Sequence, residues 1–271
     1  MRVSIMLWLC GAALLSAAYP LLRAYLANQK TTLLQATLWA AGAWACWLVV
    51  FIGSALGEGA EVAFGRYLAL ALAGCAGVAV LGARRPGVRA WNFVVCGLLA
   101  VLLLPVAEGL GRPRTELAYL VFLGGTLAVG IINYLPTRLW LAALLLGAGT
   151  GLELAFQASP SLRERAGDWL ELVSGLCLAA SPWAGLMLTG RRAGVSAFDA
   201  VWLDFRDRFG VVWGQRTREQ FNRAAAHEGW PVALHWDGLV VEEGKTPPDA
   251  AELVAKLQAL LKRFGPEDEK D

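Results

Sequence analysis

Three carboxylates, Glu108, Glu153 and Glu171, stand in stretches that are otherwise almost wholly apolar. An ionisable side chain inside a hydrophobic run is costly, so each marks a place where a proton, an ion or a polar solute could be handled. Glu153 is the deepest, following the small-residue stretch Gly147-Ala148-Gly149-Thr150-Gly151. Glu108 follows Pro105 near the end of its run, and Glu171 lies one turn into another. Those two could simply reach headgroups or water. No Arg or Lys is read inside any run as a partner, so no buried ion pair is expected.

Other chemistry finds little support. There is no phosphate-cradling loop, no His-Glu-x-x-His and no Gly-x-Ser-x-Gly, so no catalytic residue is assigned. Cys10, Cys46, Cys75, Cys96 and Cys177 lie in apolar runs without a Cys-x-x-Cys pair, and they read as small packing residues. His227 and His235 share no ligand spacing with them. No metal and no cofactor are expected.

The elements that hold the three carboxylates follow from composition. The chain has 271 residues, 57% apolar and 17% charged, with a mean hydropathy of +0.50. Soluble domains carry about 25% charged residues, so an ordinary soluble enzyme is excluded. Crossing a bilayer takes about 20 apolar residues. Seven such runs are read, at roughly 3–22, 33–56, 62–82, 91–110, 117–135, 139–157 and 168–188. The third is the weakest, because its clean apolar part begins at Tyr67 and Glu61 and Arg66 stand before it. Trp39, Trp91, Trp140 and Trp169 sit at span starts, the depth of the membrane–water interface. Pro105 and Pro182 should kink their helices. Gly53-x-x-x-Gly57 and Gly147-x-x-x-Gly151 suit close helix packing. Asn133 reads as part of a loop through Pro136, and Asn92 as an interface residue.

Lys and Arg in short loops set orientation. Arg2, Arg66, Arg112, Arg114, Arg163 and Arg165 fall on one side; Arg23, Lys30, Arg84, Arg85, Arg89, Arg138, Arg191 and Arg192 fall on the other, six against eight. The bias puts the C-terminus in the cytoplasm and the N-terminus outside, in a plasma membrane of bacterial type. A competing reading makes Leu7–Leu15 the core of a signal peptide, cut after Ser16-Ala17-Ala18, which would put the tail outside.

The fold class expected is an all-α polytopic membrane protein of about seven transmembrane helices, with a small α+β C-terminal tail containing one β-hairpin. The transmembrane domain is 1–190 and the tail 191–271. In the tail, Phe198, Val201, Trp202, Phe205, Phe209, Val212 and Trp213 recur at helical spacing from a Ser196 cap. Trp202, Phe205, Phe209 and Trp213 are therefore candidates for tail packing or for a partner surface. A second helix is read from Thr217, with Gln220 completing a capping box. Asp237-Gly238 signals a hairpin, and Asp249 caps a last helix to Phe264, before a charged end from Glu267. The tail's net charge of −2 (12 basic, 14 acidic residues) opposes a winged-helix nucleic-acid reader. Membrane lipid is the expected surrounding, with a protein partner for the tail and no nucleic acid.

Three functions remain from different classes. The first is a non-catalytic membrane protein whose tail binds a partner or organises the membrane. The second is a small-solute or proton-coupled transporter using the intramembrane carboxylates. The third is a lipid-modifying enzyme, which would need a polar cluster at one depth.

Overall fold

The computed structural model describes residues 5–57, 60–84, 86–109, 116–159, 161–162, 165, 168–190 and 194–265. The sequence readings at Arg2, Arg85, Arg112, Arg114, Arg163, Arg191, Arg192 and 267–271 lie outside these residues, as do the side chains of Glu61 and Arg89.

Seven helices are long and apolar enough to cross a membrane, and a two-stranded antiparallel hairpin lies in the C-terminal tail. The chain is thus a multi-pass membrane protein by length and composition of its helices. The first span runs from Ile5 to Asn28 and breaks at Ala17, three residues before Pro20, whose ring cannot sit against the carbonyl of Ser16 in an unbroken helix. This span is a wall of the bundle: the Leu14 carbonyl accepts from the Trp44 indole, and the Ser16 hydroxyl accepts from that of Trp183. The second span is Leu34–Leu56 and the third Ala60–Leu81. The fourth breaks at Leu103 into Val88–Leu102 and Leu104–Glu108, the break falling just before Pro105. The fifth, sixth and seventh are Leu117–Tyr134, Trp140–Ala158 and Asp168–Leu188. Pro182 stands inside the last without ending it.

The third and fifth spans cross closely at two glycines. A Cβ placed on Gly77 would lie 2.7 Å from the Cα of Gly130. Gly57 closes the second span with a positive φ of 85°, and no backbone atom of another helix lies within 4 Å of a Cβ built on Gly147 or Gly151. Gly77→Val should push the two helices apart and destabilise the protein by about 1–3 kcal/mol or more. A thermal midpoint in detergent equal to that of the parent would refute this.

Of the four span-start tryptophans, Trp140 and Trp169 are exposed at the outer surface of the bundle. The other two point their indoles inward: Trp39 donates to Asn92 Oδ1 (3.1 Å) and Trp91 to the Val78 carbonyl (3.1 Å). Asn92 is therefore a packing partner as well as an interface residue.

The tail begins with one long helical segment, Ala197–His227, capped by the Ser196 hydroxyl, which accepts from the Asp199 N–H. It is broken by Gly210 at φ 78°, ψ −170°, a conformation open essentially to glycine alone. The break lies earlier than the sequence reading placed it. Thr217 is buried in mid-helix, so no capping box forms there. Strands β1 (Val232–His235) and β2 (Gly238–Val241) pair with His235 opposite Gly238, so the two turn residues are Trp236 and Asp237 rather than Asp237 and Gly238. A helix over Ala250–Leu261 and a single 3₁₀ turn to Phe264 end the described chain.

The tail does not stand free of the spans. Phe264 packs edge-on against Phe205, Phe209 and Trp213, with ring centroids 4.9, 5.0 and 5.2 Å away. Trp213 donates to the Val80 carbonyl at the end of the third span (3.0 Å), and Trp236 to the Pro136 carbonyl (2.7 Å). Asn133 is not a loop residue but the buried last turn of the fifth span. Its amide donates to the Phe209 carbonyl (3.3 Å) and accepts from the Val212 N–H (3.1 Å). Those are the backbone groups that the Gly210 break leaves without helical partners. The neighbouring Tyr134 hydroxyl donates to the Arg208 carbonyl (3.0 Å), so two side chains of the bundle meet the tail helix at its break.

A candidate functional site: a buried ionic cluster beyond an apolar cavity

Arg66 is the residue that corrects the sequence reading. It lies in the third span, 1% exposed, and its guanidinium meets two of the three carboxylates. Nη1 donates to Glu153 Oε2 at 2.7 Å, and Nη2 lies 3.3 Å from Glu171 Oε1 and 3.1 Å from Ser54 Oγ. A buried ion pair is present where none was expected. The expectation failed because the apolar part of the third run begins at Tyr67, which assigned Arg66 to a loop. The helix starts earlier, and Val62, Arg66 and Leu70 fall on one buried face at four-residue spacing. Two carboxylates in spans are themselves a signal that a cation should be sought among span-end residues.

Other side chains complete part of the cluster, while Arg66 Nε is buried with no hydrogen-bond partner among the described residues. Ser174 donates to Glu153 Oε1 at 2.6 Å. The Phe51 ring lies beneath the guanidinium, 5.5 Å from ring centroid to Cζ. Cys10 approaches the carbonyls of Glu171 and Leu172 at 3.9 and 3.7 Å. Four spans thus meet in one knot: the second through Ser54, the third through Arg66, the sixth through Glu153 and the seventh through Glu171 and Ser174. All five residues lie near the span ends remote from the tail. With all three charges present, one guanidinium faces two carboxylates, a net charge of −1 inside the bundle.

Glu108 does not join the groups around Arg66. It is exposed at the end of the fourth span and accepts a hydrogen bond from Tyr119 at 3.0 Å. Of the three sequence candidates, the structure brings Glu153 and Glu171 together. Trp202, Phe205, Phe209 and Trp213 are all buried, at 0, 5, 4 and 5% exposure, within the chain's own core. Among the described residues no group of three His, Cys, Asp or Glu side chains is placed to hold a metal ion, and the five cysteines are unbridged.

The other half of the bundle holds a partly open cavity of about 660 Å³. Its walls come from the tail-side halves of six spans. On the second span they run from Leu33 to Trp47, on the third from Val80 back to Ala73, and on the sixth from Leu139 to Thr150. At 1.5 Å per residue, the second-span stretch is about 20 Å long. Asn28, Arg23, Asp204 and Arg208 stand at the tail end of the cavity, the last two belonging to the tail helix. The lining stops at the level of Trp47 and Thr150, one turn short of Phe51 and Glu153. The ionic cluster therefore lies just beyond the inner end of the cavity. Sequence reasoning missed the cavity because its walls are alanines, glycines and leucines whose convergence depends on how six helices pack.

No known protein family, curated protein or solved structure matches the chain. The functional reading therefore rests on this geometry.

Proposed function

We propose that the protein is a membrane carrier that admits a small, largely apolar solute from the tail side, with Arg66, Glu153 and Glu171 closing the far side. The observation that carries this reading is the pairing of a 660 Å³ cavity, lined from the tail side to mid-depth, with an ionic cluster beyond its inner end. Ligand cavities span about 300–1,000 Å³ and are mostly apolar with a few placed polar groups. A carrier that works by alternating access holds one side open and the other sealed. Three helices joined by charge, with a fourth hydrogen-bonded to them through Ser54, make such a seal, because moving them apart would leave unpaired charges in a poor solvent. In this reading the carboxylates hold a gate, and the solute lies one turn away from them.

The tail side is the cytoplasm, and the membrane a plasma membrane of bacterial type. The loop cations support that orientation more strongly once Arg66 is counted inside the membrane, since removing it from six leaves five against eight. A second reading, in which the tail is a partner-binding module, draws on Val240 and Val241, which remain exposed on the outer strand of the hairpin.

Side-specific labelling tests the carrier reading. In a variant with the native cysteines replaced, single cysteines at Ala40 and Ala76 should react with a membrane-impermeant maleimide. The reaction is expected only in vesicles that present the tail side. Reaction from neither side, or equally from both, would overturn the proposal.

A further inference from the structure

The cavity is chemically one-sided. Along its walls the hydroxyls of Thr37, Thr150, Ser181, Thr189 and Tyr134 each donate to a backbone carbonyl, and so does the Trp44 indole. The Trp47 indole nitrogen is covered by the protein around it. The walls therefore offer a solute no free side-chain donor, and alanines at positions 36, 40, 43, 73 and 76 line them with methyl groups. At the tail end the chemistry changes. Arg23 lines the cavity five residues inside the end of its span at Asn28, about 7.5 Å by helical rise. A guanidinium within a span is costly unless something pairs with it. Arg23 nevertheless makes no hydrogen bond or ion pair among the described residues. Arg208 and Asp204 stand 3.5 Å apart at the same end, so two guanidinium groups face one carboxylate there, a net charge of +1.

The geometry points to a single-chain anionic amphiphile as the solute, with its head at Arg23 and its chain along the apolar walls. This inference rests on the carrier reading of the cavity and names the class of its solute. An unpaired guanidinium at one end alone sets both the sign of the head and the direction in which the molecule lies. Walls whose donors are already spent favour a chain without polar groups, because a polar atom placed against them would give up water and gain no partner. The volume sets the number of chains. At about 30 Å³ for a group the size of a water molecule or a methylene, 660 Å³ holds about 22 such groups, enough for one long chain with its head and not for two.

Binding of N-palmitoyltaurine, N-palmitoylethanolamine and palmitoylcholine to the full-length protein in lipid nanodiscs, measured against empty nanodiscs, tests it. The three share one acyl chain and carry a negative, a neutral and a positive head. The taurine conjugate should bind roughly fivefold more tightly than the neutral amide, the effect of one partly exposed ion pair, and the choline ester should bind most weakly. Arg23→Gln should remove that preference; Arg23 is exposed, and an unaltered thermal midpoint shows that the variant is folded. Arg84→Gln changes a cation on the same side that does not line the cavity, and it should leave the binding of all three unchanged. Saturating N-palmitoyltaurine should also slow maleimide labelling of the cysteines at 40 and 76, whereas N-acetyltaurine, the same head without the chain, should not. A preference that is missing from the unaltered protein, survives Arg23→Gln or is lost equally in Arg84→Gln overturns this inference and leaves the cavity reading intact. So does labelling that N-palmitoyltaurine leaves unchanged, or binding of none of the three while the cysteines still label from the tail side. Absence of both binding and side-specific labelling overturns the two together.

Discussion

Replacing Arg66 by methionine is expected to cost about 3–5 kcal/mol of stability, the largest effect of any single change in the spans. The variant leaves the Glu153 and Glu171 carboxylates buried without their shared cation, and it removes the ion pairs that tie the sixth and seventh spans to the third together with the hydrogen bond to Ser54 of the second. The expected readout is a steep fall in the thermal midpoint of the detergent-solubilised protein, followed by aggregation. The sign should reverse when the whole cluster is replaced. Arg66→Met with Glu153→Met and Glu171→Met removes every buried charge, and buried ionic sets exchanged for apolar residues of similar volume are often neutral or stabilising. The triple variant should therefore recover most of the lost midpoint while losing side-specific labelling at Ala40. A single Arg66→Met variant as stable as the parent would show that the cluster holds nothing together.

Gly210→Ala should release the tail. Its φ of 78° with ψ −170° is closed to alanine at a cost of about 1–3 kcal/mol. The added Cβ would lie 2.1 Å from the Asn133 Nδ2 that bridges the break. Moving Asn133 aside forfeits two hydrogen bonds, each about 1 kcal/mol. The total approaches what a small tail of this kind can lose and stay docked. Amide exchange should accelerate through 197–264 while the spans keep their protection. Asn133→Ala should give a smaller acceleration in the same residues, because the Phe209 carbonyl and Val212 N–H lose their partner without added strain. Unchanged exchange in Gly210→Ala would mean that the tail is held elsewhere, through Trp213, Trp236 or Phe264.

The architecture was legible wherever a pattern is local. Seven apolar runs of the right length, Ser196 ahead of an aromatic stripe and an Asp-Gly pair between two short apolar segments each carry their meaning within about 20 residues. The hairpin register slipped by one residue because the signal names a turn without fixing which residues pair. The helix break fell at Gly210 rather than Thr217 because the deciding group, Asn133, is more than 70 residues away in sequence. The site divides the same way. Glu153 and Glu171 stand out by the cost of a carboxylate in an apolar run, which any window reveals. Arg66 hid because a helix may extend past the apolar stretch that marks it, and Ser54 and Ser174 are unremarkable until the guanidinium and Glu153 are placed beside them. The cavity could not be read at all, since an alanine that lines a space and one that fills a contact look identical in sequence.

The position of Arg66 also bears on how the protein is made. Its span leaves the ribosome well before the two that carry its acidic partners, Glu153 and Glu171. During that interval the guanidinium must find another solvent. Four residues from Val62, it is close enough to the bilayer surface for its long side chain to reach headgroup phosphates while the later helices are synthesised. An arginine one or two turns deeper would have had no such resting place. The depth of the cluster therefore suits the order of synthesis, with the final helix drawing a waiting cation out of the lipid surface and locking the bundle as it enters.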